Sequence, residues 1–99
     1  MQLKECTTLE EVREEIDKLD DRIVELIAAR NAYIHQAAKF KNTIQEVKAK
    51  ERVDAVIQKV RHKALELGMS ANMIEELYRT MIDEMVESEI AEFRNQTSF

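Results

Sequence analysis

Apolar residues recur along the first part of the chain at helical spacing. Leu9, Val12, Ile16, Leu19, Ile23 and Leu26 lead, and Tyr33, Ala37 and Phe40 follow. With Arg30 filling the slot between Leu26 and Tyr33, the intervals alternate between three and four residues, a period near 3.5. The stretch 8–42 contains neither proline nor glycine, so nothing in it breaks a helix. Thr7 with Glu10, or Thr8 with Glu11, fits a capping box at its start. The pattern fades after Lys41, and 42–48 reads as a loop that could be partly helical. A second helix is expected from about 49 to 67, with Val53, Val56, Ile57, Val60, Ala64 and Leu67 on its apolar face. Gly68 stands where a left-handed residue closes a helix. Ser70 is the expected N-cap of a third helix, with Asn72 and Glu75 offering a second register. That helix runs to about Arg94 with Ile74, Leu77, Tyr78, Met81, Ile82, Met85 and Phe93 inward, and the residues beyond it are expected to fray.

Composition supports an all-α chain of three helices: 35% charged residues, no proline and a single glycine. With 99 residues, 1–99 is expected to be one domain. A helix of about 34 residues would run about 50 Å, against a radius of gyration of about 13 Å for a compact chain of this size. The first seam therefore outruns its own chain, which points to an intertwined helical homodimer. The net charge of −5 argues against nucleic acid and anionic membranes as partners. Cys6 is the only cysteine, which leaves no thiol pair for a disulfide or zinc site. The N-terminus lacks a signal-peptide pattern and no run reaches transmembrane length, so the expected localisation is cytoplasmic.

Polar residues on the apolar stripes carry the candidate chemistry. Arg30 fills a seam slot, and Lys41 follows eleven residues later, facing nearly the same way. Arg52 begins the second helix beside Val53, and Glu89 shares a stripe with Tyr78, Ile82 and Met85. Each has an ordinary reading. Arg30 can snorkel along an interface, Lys41 can serve the helix dipole, and Glu89 can pair with a cation. Arg52 and Arg13 pass as solvated residues. A buried cation nevertheless needs an anion, and several cations with one acid near apolar faces of an acidic protein suit a compact anionic ligand. Arg13 and Arg30 lie roughly 25 Å apart along one helix. They can meet one small molecule only if an antiparallel partner brings its Arg13 to this chain's Arg30.

In that ordered set the chain resembles the all-helical class of chorismate mutases. Arg13, Arg30 and Lys41 match that class's first-helix cations, Arg52 its second-helix arginine and Glu89 its third-helix glutamine or glutamate. Within the class, Cys6-Thr7, Leu9, Arg13-Glu14, Ile16-Asp17, Asp20, Phe40-Lys41 and Glu51-Arg52-Val53 look like the isochorismate pyruvate lyases of salicylate biosynthesis. The resemblance implies an intertwined dimer of three-helix subunits, sites shared between subunits, a small dicarboxylate substrate and no cofactor. Mutases of the class carry a glutamate after the second-helix arginine, where it contacts the C4 hydroxyl of chorismate. Val53 stands there instead, which favours isochorismate, whose hydroxyl is at C2. Glu89 replaces the lyase's glutamine, Met85 takes the place of a serine found in some mutases, and the 42–48 segment lacks the lyase's prolines.

Both reactions are pericyclic, and in both the ether C–O bond breaks with negative charge growing on its oxygen. The resemblance makes Lys41 the donor to that oxygen and Glu89 a second donor when protonated. It makes Arg13, Arg30 and Arg52 the carboxylate clamps. The expected activity is isochorismate pyruvate lyase, with secondary chorismate mutase activity. The alternatives are a chorismate mutase proper and a helical dimerisation module without chemistry.

Overall fold

The computed structural model describes residues 2–97. Its elements are α1 (Leu9–Ala38), α2 (Ile44–Lys48), α3 (Lys50–Glu66) and α4 (Ala71–Thr97). The fold is all-helical, as expected, with three principal helices and the short α2. The chain divides into two compact units, Met1–Ala32 and Tyr33–Phe99.

In the first unit, Thr8 caps α1 as expected, but the reciprocal bond of a capping box reaches one residue further back, to Thr7. The Glu11 N–H donates to Thr8 Oγ1 at 3.1 Å, and the Thr7 N–H donates to the Glu11 carboxylate at 3.0 Å. This unit holds none of the fully buried apolar side chains among the described residues. Leu9, Val12, Ile16, Leu19, Ile23 and Leu26 are between 39% and 61% exposed. The seam is thus a stripe without a cover in the single chain.

The second unit contains the core. Val47, Ile57, Ala64, Ile82, Met85 and Phe93 are buried, and both α2 and α3 pack on α4. The first helix ends earlier than the sequence pattern suggests, at Ala38 rather than near Lys41. The N–H groups of Lys39, Phe40 and Lys41 each donate to the carbonyl three residues back, which tightens the chain out of the α-helix. Phe40 is consequently 81% exposed instead of continuing the seam.

The 42–48 segment is in part a helix. Thr43 caps α2 by accepting the Glu46 N–H at 3.1 Å, and Val47 anchors it in the core. One turn is too short to leave a periodic signal, so the sequence shows it only as a lapse in the pattern. Ala49 joins α2 to α3 in the left-handed region, with φ 42° and ψ 54°.

At the far end of α3 the expected signals are met. Gly68 has φ 73°. The Met69 N–H donates to Ala64 O at 2.8 Å and the Gly68 N–H to Leu65 O at 3.1 Å, a Schellman closure. Ser70, not Asn72, caps α4, accepting the Met73 N–H at 3.1 Å. The third principal helix continues past Arg94 to Thr97, and the last two residues of the expected frayed end lie outside the described residues. Leu67 and Leu77, assigned to inward faces by periodicity, are exposed at 63% and 59%. Leu67 follows the last residue of α3, and Leu77 falls one turn after the equally exposed Met73 on the same side of α4.

Candidate functional site

Glu89 is the one buried charged residue among the described residues, at 3% exposure. It follows Ile82 and Met85 and precedes Phe93 on a single stripe of α4, so its carboxyl projects from the same face as the core. Removing a carboxyl from water is costly without a partner. The partner is Lys41, whose Nζ lies 3.4 Å from Glu89 Oε2.

Lys41 stands in the linker between α1 and α2, where the early end of α1 leaves it. Its ammonium also donates to the Glu46 carbonyl of α2 at 2.9 Å. The Glu46 carboxylate in turn accepts the Asn42 N–H. Lys41 is therefore held from two sides, by a backbone oxygen of α2 and a carboxyl of α4. Two acceptors leave one of its three N–H bonds for a third partner.

An open cavity of about 700 Å³ adjoins Lys41, lined also by Phe40, Gln45, Glu46, Lys50, Glu51 and Arg52 among others. Arg52 is exposed on the first turn of α3 and reaches this recess. Lys41, Lys50 and Arg52 bring three cations to it against the two carboxylates of Glu46 and Glu51, and Phe40 adds an apolar side chain. Such a recess suits a small anion with an apolar body.

The site residues expected from the sequence fall into two groups. Lys41, Arg52 and Glu89 belong to the second unit, where Lys41 meets Glu89 directly and shares the cavity with Arg52. Arg13 and Arg30 belong to the first unit, on α1; Arg13 is exposed and Arg30 half-buried. Val53 is half-buried on α3.

Sequence reasoning missed His35. From the last turn of α1, its Nε2 lies 2.8 Å from Ser88 Oγ, and its Nδ1 lies 3.7 Å from Glu92 Oε2. His35 falls off the regular seam, and its partners are more than fifty residues away in the chain. Only the fold pairs them. Lys50 was likewise not singled out. It looks like an ordinary surface lysine until the left-handed turn at Ala49 sets it beside the cavity.

A second ionic cluster fastens α3 to α4 away from this cavity. Arg61 donates to Glu75 at 2.7 Å and to Asn72 at 3.0 Å, and Arg79 donates to Glu75 at 2.7 Å. The Arg79 bond holds the Glu75 carboxyl below its ordinary range; burial opposes it, and the Arg61 bond adds a smaller lowering of its own.

The chain is similar over most of its length to known proteins. Over 91 residues the chain is 32% identical to the isochorismate pyruvate lyase of Pseudomonas aeruginosa, covering 92% of this chain and 90% of that protein. Over 82 residues it is 34% identical to the T-protein of Haemophilus influenzae, covering 82% of this chain but only 22% of that longer protein. Residues 12–90 match the family described as chorismate mutase type II. That span takes in all five expected site residues and three principal helices, and on it the chain belongs to the chorismate mutase type II family.

Proposed function

We propose that this chain is a cofactor-independent isochorismate pyruvate lyase, converting isochorismate to salicylate and pyruvate with chorismate mutase as a secondary activity. The observation that carries the reading is the Lys41 ammonium, held between Glu89 and the Glu46 carbonyl at the edge of a cationic recess. An ammonium fixed in advance stabilises charge growing on the ether oxygen without reorganising during the reaction. Hydrogen passes from C2 to the enolpyruvyl methylene as the ether bond breaks. The protein's task is to hold the side chain over the ring in that geometry. Arg52 and Arg30, with Arg13 of a second subunit, would grip the carboxylates. Glu89, when protonated, would donate beside Lys41.

Val53 in place of an acidic residue, together with the lyase relative, supports isochorismate over chorismate. A chorismate mutase proper is the second reading, favoured by the carboxyl of Glu89. The decisive experiment offers purified protein each substrate separately, following salicylate fluorescence and prephenate formation. Salicylate as the main product supports the lyase; prephenate with little salicylate selects the mutase. Turnover of neither, with no rise in melting temperature on adding a dicarboxylate transition-state mimic, leaves a dimerisation module.

The same reading includes a homodimer. Six apolar side chains along α1 are 39% to 61% exposed, and each large aliphatic side chain that is fully buried contributes about 1.5–3 kcal/mol. A second copy presents the same stripe and can cover it, and it would carry Arg13 toward the first copy's Arg30.

A further inference from the structure

We propose that His35 is a positioning residue that holds the last turn of α1 in register against α4 and thereby keeps Lys41 on Glu89. The inference rests on the reading above of Lys41 and Glu89 as the reacting pair. Lys41 is not held by a helix of its own. Its ammonium rests on α2 and α4, but its backbone is tied to the tightened turn that ends α1, so the reach of the side chain depends on where that last turn sits. From that turn, His35 reaches two residues of α4 that bracket Glu89 in sequence, with Nε2 at 2.8 Å from Ser88 Oγ and Nδ1 at 3.7 Å from Glu92 Oε2. Ser88 and Glu92 are one helical turn apart on one face. An imidazole touching both is fixed along α4 as well as across it. A slip of α1 by even part of a turn would break one of these contacts and draw Lys41 off the carboxyl.

The chemistry of the clamp is tolerant of protonation. The Ser88 hydroxyl can accept from Nε2–H or donate to a bare Nε2, so in either state Nδ1 can carry a proton toward Glu92. The trio is not arranged for acyl transfer despite its residue types. Ser88 lies inside α4, where neighbouring backbone N–H groups are spent in helical hydrogen bonds and none is left to receive an oxyanion. Its geometry serves alignment.

The test has a kinetic arm and one that needs no activity. In the kinetic arm, His35→Leu is expected to lower kcat about tenfold or more with KM changed less than about twofold, since displacement of a reacting group by an ångström costs rate before it costs binding. His35→Gln, which can still reach Ser88, should recover part of the loss. A kcat for His35→Leu within about twofold of wild type would overturn the proposal. In the second arm, the fall in melting temperature caused by Lys41→Met is measured with His35 present and with His35→Leu. If His35 aligns the pair, that fall is less than about half as large in the leucine background, because the pair is already loosened. Equal falls overturn the proposal. Should the wild-type protein turn over neither substrate, the reading of the site fails, and the melting-temperature cycle alone decides whether His35 positions the pair.

Discussion

Lys41 and Glu89 depend on each other in two ways, and one substitution separates them. Lys41→Ala removes the donor proposed for the ether oxygen and leaves a buried carboxyl facing Glu46's carbonyl with no cation between. Turnover should drop by about a hundredfold or more, while stability falls by only about 1–3 kcal/mol. Steady-state kinetics and urea unfolding on the same preparation measure both, and near-normal turnover would remove Lys41 from the mechanism. Glu89→Gln puts an amide donor in place of the carboxyl, so turnover should be kept or raised; a fall of about a hundredfold in steady-state kinetics would exclude a donor role for this side chain. Glu75 makes a separate prediction about stability. Its folded-state titration is depressed by Arg79 and Arg61. The stability it contributes is therefore present above the ordinary carboxylate range and is lost as pH falls through the depressed value. Glu75→Gln should lower stability at neutral pH and lose its effect in acid, as read by unfolding at both ends. Lys41 and Glu89 were legible in the sequence only as members of a set, because each alone has an ordinary reading while several cations and one acid near apolar stripes do not. His35 was not, because nothing local distinguishes it and its meaning comes from Ser88 and Glu92 on a distant helix.

The connections between helices show where local chemistry speaks and where it does not. Gly68 and Ser70 announce the α3–α4 turn, and the structure uses both as expected. Ala49 announces nothing, being a good helix former, yet it takes the left-handed conformation between α2 and α3. The two positions should answer substitution with opposite signs. Gly68→Ala meets no atom within 4 Å, so its cost is conformational alone, about 1 kcal/mol. Ala49→Gly relieves a left-handed strain of about 1–2 kcal/mol and adds about 0.5–1 kcal/mol of chain entropy to be lost on folding. A net gain near 0.5 kcal/mol is expected, and a loss would mean that the Ala49 side chain contributes contacts worth more than the strain. Chemical denaturation of the two variants decides both signs. The same turn explains why α2 was hidden. It is held by Thr43 at one end and Val47 in the core, which are tertiary facts about a segment too short to show a period.

At the scale of the whole molecule the unanswered feature is the stripe on α1, where the sequence pattern and the exposed side chains coincide. The two cations on that helix add a constraint. Arg13 and Arg30 are roughly 25 Å apart along one helix, so one compact substrate cannot engage both from the same chain. In the proposed dimer each site combines Arg13 of one subunit with Arg30, Lys41 and Arg52 of the other. This arrangement has a consequence that single-chain sites lack. Take Arg13→Ala and Lys41→Ala, each inactive alone, unfold them together and refold the mixture. In a heterodimer one site receives both lesions and the other receives neither. With random pairing, half the dimers are mixed and one of their two sites is intact, so about a quarter of wild-type activity should return. Mixing without exchange of subunits should restore nothing and serves as the control. If each site is built from a single chain, refolding restores nothing either, since every site then keeps its own lesion. Ile16→Glu places a charge in the middle of the stripe and should shift the protein toward monomer in sedimentation. Loss of complementation in that background would tie the recovered activity to the α1 interface itself.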